Sequence, residues 1–426
     1  MRRVLPVLLL SALQTLLFLA AFPAAAQAPE GQALAAWTQM TGQGAEVRAA
    51  AGPGGGCPKA SVDGKPAAMT VRAPAGPAFP LVCALALPEG AASAEVAGKP
   101  VPLPAPARRI VILGDSGCRV KDLTVQACND PRAWPFAEVA RLAAAQKPDL
   151  VIHVGDYYYR ESPCPLGLKA CAGSPSGDRW ETWAAEFFGP AAPLLGAAPW
   201  VFARGNHEVC KRGGRGWFQL LDAGPPPGVC RDDTAATAFA VHTGDLNLYV
   251  IDSSASADRE HNKYGKKVIS SELDQMGPGL ESGSGWIITH RPIWGLVPVA
   301  RVGPASPFEV TLNFTQQDAV RGRALGGVQM VVSGHVHHFQ ALDFGPKRPA
   351  QLVVGTGGDV GEKADLARVY SETRKIDGLE ANVFSFSRFG YYLMEKDGED
   401  WVGAFHDADD QVRARCRLHE RRLTCR

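Results

Sequence analysis

Six short, uninterrupted apolar runs are the feature of this chain that most restricts its fold. They occupy residues 110–113, 150–154, 200–203, 248–251, 285–288 and 330–332. Unbroken runs of this kind are typical of strands that are buried on both faces of a sheet. Between them, apolar residues recur at helical spacing, as at 136–143 and 180–187. Strands that alternate with helices predict the α/β fold class.

Five polar blocks follow or end apolar runs of this kind. They are Gly-Asp-Ser-Gly at 114–117, Gly-Asp-Tyr-Tyr-Tyr at 155–159, Gly-Asn-His-Glu at 205–208, Ile-Ile-Thr-His at 287–290 and Gly-His-Val-His at 334–337. In α/β sheets, functional groups gather at the carboxyl ends of the strands. We therefore predict one shared site, formed by Asp115, Asp156, Tyr159, Asn206, His290, His335 and His337.

The predicted site has enough oxygen and nitrogen donors for two metal ions. Two adjacent metal ions are a recognised device for cleaving phosphate esters. The mixture of carboxylate, amide and imidazole donors excludes an all-oxygen calcium cage and suits zinc, iron or manganese. A carboxylate can give one oxygen to each ion, so Asp156 is predicted to bridge them.

Tyr159 narrows the choice of metal. A free phenol has a pKa of about 10, so binding it as phenolate near neutral pH requires a strongly Lewis-acidic ion. Ferric iron is the obvious candidate. The other interpretation is an aromatic residue at the rim of the site, because Tyr157 and Tyr158 directly precede it. The spacing from Asp156 favours the metal ligand.

Two further histidines are candidates for roles beside the metals. His207 follows Asn206 and is predicted to protonate the leaving group, since an imidazole is suited to proton transfer near neutrality. The other interpretation is that it only orients another group. His338 follows His337 and is a weaker candidate for binding substrate. The Gly-rich turn at 355–359 either brings backbone amides to a phosphate or is an ordinary turn after a strand.

The beginning of the chain predicts export. Residues 1–26 combine Arg2 and Arg3, a long apolar run and three alanines, as a signal peptide does. An uncleaved N-terminal anchor is the alternative, and no later segment is long and apolar enough to span a bilayer. Ten cysteines in an exported chain are expected to form disulfides. Pairing between sequence neighbours is favoured, although the sequence leaves the pairing open. We therefore expect a periplasmic or secreted protein.

The regions outside the polar blocks predict additional β structure. Residues 29–106 are rich in Gly, Pro and Ala and contain short strand-like runs, which predicts a small N-terminal β-sandwich domain. The catalytic domain is then expected at 107–426. Its tail from Trp401 to Arg426 is expected to form short strands, closed by Cys416 and Cys425. The formal net charge of +1 gives no long-range attraction to nucleic acid or to an anionic membrane.

The blocks resemble those of purple acid phosphatases, within the wider calcineurin-like metallophosphoesterases. The resemblance covers residues 109 to about 340. In the wider superfamily the first block is usually Asp-x-His, whereas here Gly117 stands at the histidine position and Tyr159 fills the gap. The resemblance implies a fold of two packed mixed β-sheets flanked by helices, with an N-terminal β-sandwich in the larger members.

The resemblance also implies a role for each matched residue. Fe(III) would be held by Asp115, Tyr159 and His337. Fe(II), Zn(II) or Mn(II) would be held by Asn206, His290 and His335, with Asp156 between the two ions. No histidine follows the fourth block up to residue 303, so His207 or His338 would have to donate the proton.

The implied activity is hydrolysis of a small phosphate monoester. The first alternative is a phosphodiesterase or nucleotide hydrolase that uses the same site. A secreted binding protein with a degenerate site is the second alternative, and it is disfavoured because all seven donor residues are present.

Overall fold

The computed structural model describes residues 32–298, 308–360 and 368–426. The predicted leader at 1–26 lies outside these residues. The first part of the chain forms short strands separated by turns. They are β1 (Ala33–Thr41), β2 (Gly44–Ala51), β3 (Ala60–Val62), β4 (Lys65–Ala67), β5 (Thr70–Ala73), β6 (Val82–Ala86), β7 (Ala94–Val96) and β8 (Lys99–Pro100).

The middle of the chain alternates strands with helices. The strands are β9 (Arg109–Leu113), β10 (Val120–Lys121), β11 (Thr124–Val125), β12 (Leu150–His153), β13 (Trp200–Phe202), β14 (Phe239–Thr243), β15 (Leu246–Val250), β16 (Gly285–Ile288), β17 (Gly295–Pro298), β18 (Phe308–Leu312), β19 (Val328–Ser333), β20 (Phe339–Asp343) and β21 (Ala350–Val354). The helices are α1 (Phe136–Ala145), α2 (Trp180–Trp183), α3 (Ala192–Leu195), α4 (Gly214–Leu220), α5 (Lys263–Met276) and α6 (Phe314–Val320). Short 3-10 turns occupy Lys169–Cys171, Asn206–Glu208, Gly277–Leu280 and Gly345–Lys347, and a π-helical turn occupies Ala184–Phe188.

The last part of the chain is antiparallel. Its strands are β22 (Tyr370–Ile376), β23 (Leu379–Phe386), β24 (Gly390–Asp397), β25 (Asp400–Asp407), β26 (Val412–His419) and β27 (Arg422–Cys425). β22 and β23 extend one large sheet, and β24 to β27 extend the other. The predicted strands of the tail are therefore present, with Cys416 directly opposite Cys425.

Two large mixed sheets form the centre of the molecule. The first has the order β27-β26-β25-β24-β9-β12-β13-β1-β2-β6-β5, and the second has the order β14-β15-β16-β19-β21-β20-β23-β22. Ile110 and Ile112 of the first sheet share one apolar core with Trp286 and Met330 of the second. The two sheets therefore pack face to face, which confirms the predicted fold class.

Helices cover the outer face of each sheet. Val111, between the two isoleucines of β9, points away from the central core and belongs to a cluster with α1 to α4. Ile287 of β16 likewise packs against α5 and α6. Since successive side chains of a strand point to opposite faces, an apolar run has to be covered on both. This burial explains why the runs are unbroken.

The strands that precede the polar blocks run in parallel. β9, β12 and β13 are parallel in the first sheet, and β15, β16, β19 and β21 are parallel in the second. Their carboxyl ends meet at one edge of the packed sheets. This arrangement brings residues that are far apart in sequence to one place.

The N-terminal strands form a small β-sandwich that shares a sheet with the rest of the molecule. Its layers are β1, β2, β6 and β5 on one side and β4, β3, β7 and β8 on the other. Val47, Cys83 and Val96 lie in the core between them. β1 also pairs in parallel with β13, where Gln39 is opposite Trp200. The hydrogen bonds between β1 and β13 join residues on both sides of the predicted domain boundary near residue 106. That boundary therefore stays a prediction.

Disulfides join each pair of neighbouring cysteines, as favoured from the sequence. They are Cys57–Cys83, Cys118–Cys128, Cys164–Cys171, Cys210–Cys230 and Cys416–Cys425. Five disulfides fit an extracellular or periplasmic protein. In the part of the chain that the structure describes, no helix has the length and apolar character to cross a membrane.

Candidate metal centre

Sharp backbone turns at the strand ends aim the donor side chains inward. Asp115, Asp156 and His335 have left-handed backbones, with φ of 55°, 60° and 71°. Such conformations are unfavourable for residues with a Cβ and persist where the surrounding structure enforces them. Gly155 has φ of 101°, and a Cβ there would lie 2.6 Å from the His290 ring. A side chain at position 155 would therefore collide with the His290 ring.

One group of donors surrounds the Tyr159 hydroxyl. This hydroxyl lies 2.8 Å from Asp156 Oδ2, 3.3 Å from Asp115 Oδ1 and 3.1 Å from His337 Nε2. His337 Nε2 is in turn 3.3 Å from Asp115 Oδ1. We call Asp115, Tyr159 and His337 the tyrosine cluster.

A second group of donors lies on the other side of Asp156. His290 Nε2 is 3.2 Å from Asp156 Oδ2 and 3.1 Å from Asn206 Oδ1. Donor atoms of Asp156, His290 and His335 all lie within 4.8 Å of one another. We call Asn206, His290 and His335 the asparagine cluster. The same oxygen of Asp156 therefore contacts both clusters.

The hydrogen bonds of two of the predicted ligand histidines are compatible with metal binding by the donor set. His290 Nδ1 donates to the Val154 carbonyl at 2.8 Å, and His337 Nδ1 donates to the Val360 carbonyl at 2.9 Å. In a neutral ring, the other nitrogen then carries a lone pair. Each Nε2 faces an oxygen of a neighbouring donor, Asp156 for His290 and Tyr159 for His337, so its lone pair is directed to where a metal ion could bind both. The residues present therefore fit a metal centre.

The pKa values of two donors also indicate that the buried carboxylates favour a positive charge at this site. Burial disfavours a charged His290, yet the Asp156 and Asp115 carboxylates raise the pKa of its ring to about 9. Burial and the same two carboxylates raise the pKa of the Tyr159 phenol well above its usual value. A proton on His290 or metal ions can supply this charge, and a phenolate form of Tyr159 requires the metal ions.

Two buried glutamates hold the blocks together, and neither was predicted. Glu208 accepts N–H bonds from Gly205, Asp156, Tyr157 and Tyr158 at 2.9–3.1 Å. It therefore joins the third block to the second. The only sequence signal for Glu208 was its position directly after His207.

Glu186 joins the first block to the second in the same way. Its carboxylate accepts N–H bonds from Cys118 and Tyr159 at 2.8 and 2.9 Å, and a longer one from Arg160 at 3.3 Å. Glu186 lies in the π-helical turn, and no local sequence pattern marked it.

His207 lies at the site, at one side of an open cavity. Its ring is 3.9 Å from the Tyr159 ring between centroids, and its Nε2 is 3.9 Å from Asp156 Oδ2. Its Nδ1 lies 3.0 Å from the carboxylate of Glu161, which also binds Arg212. Burial would raise the pKa of Glu161, but its bonds to His207 and Arg212 lower it to about 2. Glu161 therefore presents a negative charge to the imidazole.

His338 does not reach the cavity, contrary to the weak expectation that it binds substrate. Its side chain is fully buried, and its Nε2 lies 3.0 Å from the amide nitrogen of Gln340. Burial and the neighbouring His337 lower its pKa to about 3. Successive side chains of an extended chain point to opposite sides, so the orientation that brings His337 to the site turns His338 into the core.

The cavity at the site has a volume of about 430 Å³. Donor residues, His207 and Asp258 all line it. Asp258 Oδ2 is 2.9 Å from His335 Nε2 and 2.5 Å from Arg291 Nη1. Since Nε2 of His335 is occupied by this contact, its Nδ1 is left for the asparagine cluster. Asp258 and Arg291 were also not predicted.

The Gly-rich turn at 355–359 packs against the first block. Gly357 N–H donates to Gly114 and Asp359 N–H donates to Asp115, both at 2.8 Å. A Cβ at Gly355 would lie 2.2 Å from the Val336 carbonyl. These amides are engaged by protein, so the turn serves packing. The turn also places Asp359 beside the tyrosine cluster, with its carboxylate 3.2 Å from His337 Nδ1.

Comparison with known proteins assigns the chain to a family. A family model described as calcineurin-like phosphoesterase matches residues 108–339. The chain belongs to the calcineurin-like phosphoesterase family. This assignment confirms the resemblance seen in the blocks, and the protein is a metal-dependent phosphoric ester hydrolase. No curated protein matches the sequence.

Solved structures with the same fold include a purple acid phosphatase and PhoD. A purple acid phosphatase from seeds of yellow lupin (Lupinus luteus) is 16% identical with a TM-score of 0.50, and the match covers 88% of this chain and 72% of that one. A structure of PhoD is 11% identical with a TM-score of 0.53, and the match covers 95% and 93%. At these identities the similarity concerns the fold.

Proposed function

We propose that this phosphoesterase hydrolyses phosphate monoesters at a dinuclear metal centre of the purple acid phosphatase type. The observation that carries the proposal is that Asp156 Oδ2 contacts both donor clusters. The tyrosine cluster would hold Fe(III), and the asparagine cluster would hold Fe(II), Zn(II) or Mn(II). Bound there, two metal ions supply an activated water and offset the charge of the phosphoryl group.

The protein's own residues would hold the substrate and move the proton. His207 lines the cavity beside Asp156 and Tyr159. Burial lowers the pKa of His207, and the contact of its Nδ1 with the ionised Glu161 orients the ring and opposes that effect. The free Nε2 can then donate a proton to the departing alkoxide.

The site also fits a small substrate. The cavity is open and about 430 Å³ in volume, which suits a small phosphorylated compound. We further propose that the protein is exported to the periplasm or secreted, since its five disulfides require an oxidising compartment.

Metal analysis, absorption spectroscopy and a rate assay on the purified protein together test the proposal. We expect iron with a second metal ion, a broad visible phenolate-to-iron band, and release of p-nitrophenol from p-nitrophenyl phosphate. Tyr159→Phe should remove the band. Purified protein that binds metal but shows no visible band would contradict the Fe(III) assignment. Metal-loaded protein without phosphatase activity would contradict the proposed reaction.

A further inference from the structure

Arg119 occupies a fixed position beside the tyrosine cluster. It lies between Cys118 and the short hairpin of β10 and β11, in a loop closed by the Cys118–Cys128 disulfide. Gln126 pins this loop, because its side chain accepts from the Arg119 N–H at 3.1 Å and donates to Gly358 at 2.8 Å. The backbone of Arg119 is therefore well anchored.

The guanidinium of Arg119 is held by two neighbours. Its Nε and Nη2 both bind the buried carboxylate of Asp359, with Nε 3.2 Å from Oδ1. Its Cζ lies 5.2 Å from the centre of the Tyr159 ring. A guanidinium held by a bidentate pair and an aromatic face has little freedom left.

The remaining N–H groups of Arg119 are available to a ligand. A guanidinium has five N–H donors, and a bidentate pair with one carboxylate uses two of them. Among the described residues, Asp359 is the only hydrogen-bond acceptor of this side chain. The Arg119 side chain is 29% exposed and lines the cavity together with Asp156, Tyr159 and His207.

We propose that Arg119 is a phosphate-binding residue that selects monoesters over diesters. The inference rests on the proposed function. A monoester has three terminal oxygens and two negative charges, whereas a diester has two terminal oxygens and one charge. The metal ions that the two donor clusters would hold could bind two of these oxygens. The free N–H groups of Arg119 then bind the third, which a diester replaces with a bulkier ester group.

Asp359 contributes by positioning Arg119. Its carboxylate contacts both the guanidinium and His337 Nδ1, so it couples the orientation of Arg119 to the tyrosine cluster. This arrangement resembles the outer-shell carboxylates that orient metal-bound histidines. Arg119 itself touches the substrate, whereas Asp359 acts through it.

The test compares Arg119→Met with wild type in binding and in rate. Calorimetry with inorganic phosphate on the metal-loaded proteins should give a dissociation constant at least about tenfold higher for Arg119→Met, as expected for loss of a charge-assisted hydrogen bond. KM for p-nitrophenyl phosphate should rise similarly. The kcat/KM for bis(p-nitrophenyl) phosphate should change less than about threefold. Arg119→Lys keeps the positive charge but loses the planar guanidinium with its paired N–H donors. Its phosphate dissociation constant and KM should lie between those of wild type and Arg119→Met.

Arg132→Met is the matched control, because the side chain of Arg132 is 95% exposed. It should behave as wild type. Unchanged phosphate affinity in Arg119→Met, or equal losses for both substrates, would overturn the role of Arg119. Loss of metal in Arg119→Met would shift the decision to Arg119→Lys, where unchanged phosphate affinity would again refute the role. Inactivity of wild type would instead count against the proposed function, while phosphate calorimetry would still report on Arg119.

Discussion

The tyrosine and asparagine clusters differ in charge, although both share Asp156. The tyrosine cluster contains a carboxylate and a phenol, whereas the asparagine cluster consists of an amide and two imidazoles and has no acidic side chain. Their outer contacts differ too, since His337 is backed by Asp359 and His335 by Asp258. A more anionic donor set favours a more highly charged ion. The asymmetry therefore supports two different metal ions on either side of one shared carboxylate.

Replacing the shared carboxylate of Asp156 with a neutral amide should disable both clusters and so remove the difference in metal binding between them. Asp156→Asn leaves an amide that cannot bridge two cations, so we expect loss of both metals and a fall in kcat/KM of more than about 10³-fold. That is at least the upper range for loss of one preorganised electrostatic donor. Metal analysis and steady-state kinetics measure both effects. Asp245→Asn, on the exposed turn between β14 and β15, is the control. Retention of either metal by Asp156→Asn would argue against a shared ligand.

Single substitutions on either side should separate the two clusters. Asn206→Ala should deplete the divalent metal and lower kcat/KM by about 10²-fold or more, while the visible band persists. Tyr159→Phe should abolish the band. The pair is measured by absorption spectra and metal content of the same preparations. If Asn206→Ala also removed the band, the clusters would not bind metals independently.

The outer carboxylates provide a milder test of the same asymmetry. Asp258→Asn should weaken the affinity for the divalent metal by about 10–100-fold, as is typical for outer-shell partners of ligand histidines. Asp359→Asn should instead shift the visible band and leave the divalent affinity unchanged. Each variant is the control for the other, measured by metal titration and absorption. Identical effects from both would show that the contacts serve general stability.

The strands and the donor residues were predictable because each has a local signal. An unbroken apolar run such as 110–113 indicates a strand that is buried on both faces, and the polar block after it indicates where that strand ends. Glu186 and Asp258 had no such signal, whereas Asp359 ends a Gly-rich block that was noted without a role for its carboxylate. Asp258, for example, meets His335 across 77 positions of the chain. Contacts of this kind depend on tertiary packing, which short patterns do not encode.

Two other features show where local reasoning from sequence reaches its limit. His338 neighbours a predicted ligand in sequence, yet the alternation of side chains turns it into the core. The continuity of β1 with β13 was also not foreseen, because strand pairing between Gln39 and Trp200 spans most of the N-terminal half. A domain boundary was predicted near residue 106, and the pairing of β1 with β13 joins residues on either side of it.

The smallest expected effect on activity concerns helix α5, which packs on the outer face of the second sheet. Glu272 on α5 is buried, and its carboxylate accepts the Asp252 N–H at 3.0 Å. Burial first, and then the Asp252 carboxylate, raise the pKa of Glu272 to about 9. The folded state therefore binds this proton more tightly than the unfolded chain. The resulting stability is fully present below the unfolded pKa of about 4.3 and is lost as the pH rises toward about 9.

Glu272→Gln should remove this pH dependence, because glutamine stays neutral. Denaturant unfolding should give similar free energies for the variant and wild type near pH 5, and the variant should be more stable near pH 9 by at least about 1–2 kcal/mol, the scale of a poorly compensated buried polar group. Glu281→Gln, at an exposed position, is the control and should show no such trend. A variant that is less stable at every pH would mean that the Glu272 carboxylate is ionised and satisfied in the folded protein.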